Sequence, residues 1–150
     1  MRKVLLVLGM VALTFSMNAQ KLSTDKTDEF TGSVIKATKY YNLAKTSVGT
    51  LKAKVTRVDD STFLRVYSTS DLGCSGARGN SIIFLNADGS KVELKDEADI
   101  SCSDYASSMF VISNLDLSCW TKVRFEQSEY YTDGVAYGTY SLEQLIQATK

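Results

Sequence analysis

Short runs of alternating apolar and polar residues, polar turn clusters between them and two Asp-Gly steps predict an all-β chain. The expected architecture is an antiparallel β-sandwich or flattened barrel of about seven or eight strands with a short C-terminal helix.

Residues 1–20 are set aside first. Arg2 and Lys3 form a charged start, Val4 to Met17 an apolar stretch, and Ala19 a small residue for cleavage, the layout of a secretory signal peptide. A periplasmic or extracellular location is therefore expected, and the apolar stretch is too short for a membrane span. Residues 21–32 are rich in Asp, Thr, Lys and Ser and read as a flexible entry segment. Residues 33–150 read as a single β-rich domain.

Within that domain Ser33 to Asn42 is expected as one strand. Leu51, Ala53 and Val55 alternate with Lys52, Lys54 and Thr56, giving a half-buried strand that Asp59-Asp60-Ser61 turns back into a partner over Phe63 to Ser68. Ile82 to Leu85 and Met109 to Ile112 are apolar on both faces and so are expected as central strands. Asp88-Gly89 closes a hairpin with Lys91 to Lys95. Taken as a two-residue loop, it gives paired positions that sum to 177, whereas Cys74 and Cys102 sum to 176. A disulfide between these two across the hairpin base is expected, with a bulge absorbing the offset. It would close a loop of about 29 residues and stabilise the fold by roughly 3.5 kcal/mol on the chain-entropy account. Of the three cysteines, Cys119 is then left as a free thiol, consistent with burial. Near the C-terminus, Ser141-Leu142-Glu143-Gln144 has the form of a capping box opening an amphipathic helix with Leu142, Leu145 and Ile146 on one face.

Composition narrows the chemistry. The chain has no histidine, which removes His-activated nucleophiles and His metal ligands. Removing Arg2 and Lys3 from the 17 basic residues leaves 15 against 17 acidic ones, a formal charge of −2, which recruits neither nucleic acid nor an anionic membrane. The glycines at 73, 76 and 79 are too widely spaced, and lack the following Lys-Ser/Thr, to form a phosphate cradle. Asp96, Glu97, Asp99 and Asp104 offer carboxylates near one bend, as calcium ligands or as a solvated turn. An EF-hand is excluded because Phe84 and Lys95 stand where its first and last acidic ligands belong. No cofactor is called for.

The segments Asp28-Glu29-Phe30-Thr31-Gly32, Leu72-Gly73-Cys74 and Lys122-Val123-Arg124-Phe125-Glu126-Gln127-Ser128 give the chain a general form that resembles small exported β-rich bacterial or phage-borne proteins of unknown function. The resemblance implies an all-β core and carries no catalytic residue with it.

One stretch reads as a contact surface. With Asp133-Gly134 as the loop of a second hairpin, Tyr130 faces Tyr137 and Gln127 faces Tyr140. Tyr131 and Tyr140 then join Val123 and Phe125 in the core. Tyr130 and Tyr137 stand outward beside Lys122, Arg124 and Glu126, an aromatic and charged face suited to a protein or glycan partner or to ordinary cross-strand pairing. The leading expectation is an exported, non-enzymatic binding module. A structural component of an envelope, extracellular or virus-particle assembly is the alternative. A carboxylate-based glycan hydrolase is a third class, since such chemistry needs no histidine.

Overall fold

The structure, a computed structural model, describes residues 22–69, 79–96, 107–127 and 130–150. Among them are ten strands, β1 (Leu22–Thr27), β2 (Val34–Thr38), β3 (Tyr41–Thr46), β4 (Thr50–Val58), β5 (Ser61–Ser68), β6 (Asn80–Asn86), β7 (Lys91–Asp96), β8 (Ser107–Val111), β9 (Trp120–Gln127) and β10 (Tyr130–Ala136), and one helix, α1 (Leu142–Ala148). All pairings are antiparallel, in the order β1-β2-β4-β3-β10-β9-β6-β7, with β5 on the other edge of β4 and β8 on β5. The sheet curls until β7 and β8 approach. There the Asp96 carboxylate accepts the Met109 N–H at 3.1 Å, so a side chain bridges two edges that no backbone ladder joins among the described residues. The result is consistent with the expected sandwich or flattened barrel, but the sheet is not closed and has ten strands among the described residues rather than seven or eight, because the entry segment and the divided Ser33–Asn42 stretch each add one.

β4 organises the first half. Its inner residues Leu51, Ala53 and Val55 are fully buried, as their alternation predicts, and pair with β5, whose Leu64 and Val66 are buried too. The opposite edge of β4 is shared: β3 takes Thr50 to Ala53, and β2 takes Thr56 to Val58. The single strand expected over Ser33 to Asn42 is therefore two, broken at Lys39-Tyr40. Opposite the break the Val55 N–H has no strand partner, and the buried Thr38 hydroxyl accepts it at 3.1 Å while donating to the Lys39 carbonyl at 2.8 Å. A side chain thus completes the ladder where the backbone cannot.

Residues 22–27, expected to be flexible, form β1. Its polar composition is that of an exposed edge strand, and its order comes from pairing with β2, from Ser23 donating to the Thr38 carbonyl at 2.7 Å, and from a tight turn at Asp28. Asp28 accepts the N–H groups of Phe30 and Thr31, each at 2.9 Å. Met109 to Ile112 was expected to be central. β8 instead lies at an edge with Met109 and Val111 outward, and only Phe110 and Ile112 turn to the core. By contrast, β6 is central as expected, between β7 and β9, with Ile82 and Phe84 fully buried.

The β6–β7 register pairs Leu85 with Lys91, a sum of 176, because the loop has three residues and Gly89 takes φ 87°. The offset against Cys74 and Cys102 disappears, although both cysteines lie outside the described residues, as do Glu97, Asp99 and Asp104. Asp96 serves the β7–β8 junction, and no metal-binding cluster occurs among the described residues. Cys119 is exposed rather than buried, its thiol 3.3 Å from the Ser118 hydroxyl. The capping box forms as read: the Gln144 N–H donates to the Ser141 hydroxyl and the Ser141 N–H to the Gln144 side chain. Leu142 and Leu145 pack into the core beside Phe84, Phe110 and Phe125. Among the described residues no helix is long and apolar enough to cross a membrane.

Thr38→Val keeps the volume and removes the acceptor. It is expected to lower unfolding free energy by about 1–3 kcal/mol, the cost of an unsatisfied buried N–H, as a shifted denaturant midpoint at unchanged slope. An unshifted midpoint would mean that the Val55 N–H is satisfied elsewhere.

Candidate basic groove

The second hairpin is not where Asp133-Gly134 suggests. β9 and β10 pair as Gln127 with Tyr130, Phe125 with Thr132, Arg124 with Asp133 and Val123 with Gly134, so the chain reverses between Gln127 and Tyr130, and Asp133-Gly134 lies mid-strand. Both residues have other duties. A Cβ at Gly134 would sit 2.9 Å from the Ala44 Cβ and 3.1 Å from the Lys45 carbonyl oxygen, so glycine here permits the close approach of β10 to β3. Asp133 forms a two-point ion pair across the strands with Arg124, at 2.6 and 2.9 Å.

This register exchanges the faces. Tyr131, expected in the core, is 58% exposed, and its ring lies 4.2 Å beneath the Arg124 guanidinium. Tyr130, expected beside Arg124, pairs with Gln127 on the side of Val123 and Phe125, at the exposed end of the hairpin. Tyr137 lies beyond β10, its N–H donating to the Leu43 carbonyl. It borders a separate concavity of about 610 Å³ with Trp120 and Tyr140. Tyr140 is half-buried against Tyr41, at 4.9 Å between ring centroids, in keeping with the expected core role. Glu126 accepts a hydrogen bond from Ser81 at 3.0 Å. Tyr130, Tyr137 and Arg124 therefore do not form one patch.

Lys122 and Arg124 do share a site, which draws the rest of its residues from other strands. A groove of about 590 Å³ runs over the outer face of β7, β6, β9, β10 and β3. One cross-strand row in it reads Lys91, Leu85, Lys122, Val135, Lys45, each residue paired directly with the next. All five line the groove. Cation and aliphatic side chain alternate strand by strand. The adjacent row contains Ile83, Arg124 and Asp133. Among the described residues the only ion pair in the groove is Arg124 with Asp133; none of the three lysines is ion-paired, although the Lys122 charge also helps to lower the Asp133 carboxyl. Nothing in the sequence marks Lys45, Lys91, Leu85 and Val135 as neighbours, because the row crosses five strands and takes one residue from each.

Electrostatics divide the groove into a fixed and an open part. The Arg124 hydrogen bond holds the Asp133 carboxyl below its ordinary range, and the Asp133 hydrogen bond raises Arg124. Elsewhere the lowered carboxyls are in turns: Asp28 through Thr31 and Phe30, Asp88 through Ser90, and Asp116 through Ser118. Each is accounted for by local hydrogen bonds. No family model, curated protein or solved structure matches this chain.

Because the Asp133 carboxyl is lowered in the fold, its contribution is present above the ordinary carboxylate range and is lost as pH falls through the lowered value. Wild type is thus expected to exceed Asp133→Asn in stability near neutral pH by no more than about 1 kcal/mol, since the pair is solvent-screened. The gap should close in acid. A gap independent of pH would show that the pair carries no charge-dependent stability.

Proposed function

We propose that this protein is an exported binding module that holds an anionic partner on the outer face of β3, β10, β9, β6 and β7. The observation supporting this reading is the row of three lysines outside any ion pair, separated by Leu85 and Val135 in one groove. Lysines scattered over a surface are ordinary solvation. Three in register across five strands, alternating with aliphatic side chains, make a directional cationic surface.

The size of the groove falls within that of ligand sites, and its mixed lining suits a partner with both charge and apolar surface. The Arg124–Asp133 pair supports the site by fixing β10 against β9, and Tyr131 packs on its guanidinium. Export, taken from the signal-like residues 1–20, and the Cys74–Cys102 disulfide, taken from the hairpin register, belong to the same proposal. A disulfide at that place would suit an oxidising compartment.

The test is titration of a panel of soluble polyanions into the wild type and a Lys45→Glu, Lys91→Glu, Lys122→Glu triple variant, at low and at physiological ionic strength. The wild type is expected to bind with an affinity that falls as salt rises, and the triple variant to lose binding while keeping its circular dichroism spectrum. Equal binding by both proteins would remove this face from consideration.

A further inference from the structure

The spacing of the cations narrows the partner. Adjacent strands lie about 4.8 Å apart, so Lys91, Lys122 and Lys45, each two strands from the next, recur at about 9.6 Å along a line perpendicular to the strands. An occupant that meets all three needs acidic groups at the same interval, with uncharged, partly apolar units lying over Leu85 and Val135 between them.

Three polyanion classes can be compared with this pattern. An extended acidic peptide presents side chains on one face every second residue, at about 6.7 Å, and falls out of step with the lysines. Single-stranded nucleic acid binds by stacking its bases on aromatic rings. The units between the lysines are Leu85 and Val135, and among the described residues no aromatic side chain lines the groove. A glycan of alternating acidic and neutral sugars carries one carboxylate per disaccharide, a repeat close to two strand spacings. Its neutral sugars turn a C–H face toward an aliphatic floor.

We infer that the groove binds an acidic glycan of alternating charged and uncharged sugars, laid across the strands so that successive acidic groups meet Lys91, Lys122 and Lys45. This rests on the reading of the groove as an anion-binding face and assigns its ligand class. Two further features fit an extended chain. The groove is an open trough crossing five strands, and its fourth cation, Arg124, is ion-paired with Asp133, so the three cations outside any ion pair form one line. At physiological ionic strength the screening length of about 8 Å is shorter than the lysine spacing, so each contact acts almost independently and affinity grows with the number of acidic sugars engaged.

The experiment is calorimetric titration of the whole protein with four probes: a hyaluronan hexasaccharide, which has three carboxylates on alternate sugars, a galacturonic acid hexamer, which has one on every sugar, neutral N-acetylchitohexaose, and hexaglutamate. The hyaluronan hexasaccharide is expected to bind tightest, and the neutral hexamer not to bind. Each of Lys45→Glu, Lys91→Glu and Lys122→Glu should weaken hyaluronan binding about tenfold. Leu85→Asn should weaken it too, with the folded spectrum unchanged. Hexaglutamate or the galacturonate hexamer binding as tightly as the hyaluronan hexasaccharide would overturn the glycan assignment and leave the anion-binding face standing. Failure of all four probes to bind would overturn both.

Discussion

The placement of β10 is the constraint on which the rest depends. This strand joins β9, β6 and β7 to β3 and the strands built around β4, and its pairing with β3 runs only from Gly134 to Ala136. Two contacts fix its register. On the β9 side, Arg124 grips Asp133 through two hydrogen bonds; on the β3 side, Gly134 admits Ala44 to a distance that a side chain would forbid. A slip of one residue would put Asp133 over the core and turn Thr132 outward. It would also break the cross-strand row, because Val135 stands between Lys122 and Lys45 only in this register.

Much of the fold is legible along the chain wherever one segment carries its own pattern. Leu51, Ala53 and Val55 announce a half-buried strand, Asp59-Asp60 its turn, Ile82 to Leu85 a central strand, and Ser141 with Gln144 the start of a helix. In each case the deciding interactions are local or belong to one hairpin. Other features are set by partners distant in sequence. The break between β2 and β3 exists because one edge of β4 serves both, and Thr38 fills the gap only in that context. The polar residues 22–27 become a strand because β2 offers them an edge. Met109 and Val111 look like core residues yet face outward, since β8 packs only the face of Phe110 and Ile112 against the core, and among the described residues it pairs only with β5.

Asp133-Gly134 misleads for a related reason. Asp-Gly favours hairpin turns because of its backbone freedom, but glycine also lets two strands approach closely, and aspartate also pairs with an arginine across a ladder. The sequence does not distinguish these uses. Reading the step as a turn moves Tyr130 to the Arg124 face and Tyr131 to the core, the reverse of what the register places. The groove was legible only through Lys122 and Arg124. Its other lysines come from β3 and β7, where each looks like one polar residue in an alternating strand.

Cross-strand nuclear Overhauser effects between backbone protons around β10 test the account most directly, since fold and groove both depend on this register. The predicted contacts join Asp133 to Arg124, Thr132 to Phe125 and Gly134 to Thr46. Contacts joining Tyr130 to Tyr137 and Gln127 to Tyr140 would place the turn at Asp133-Gly134 and contradict the row of lysines.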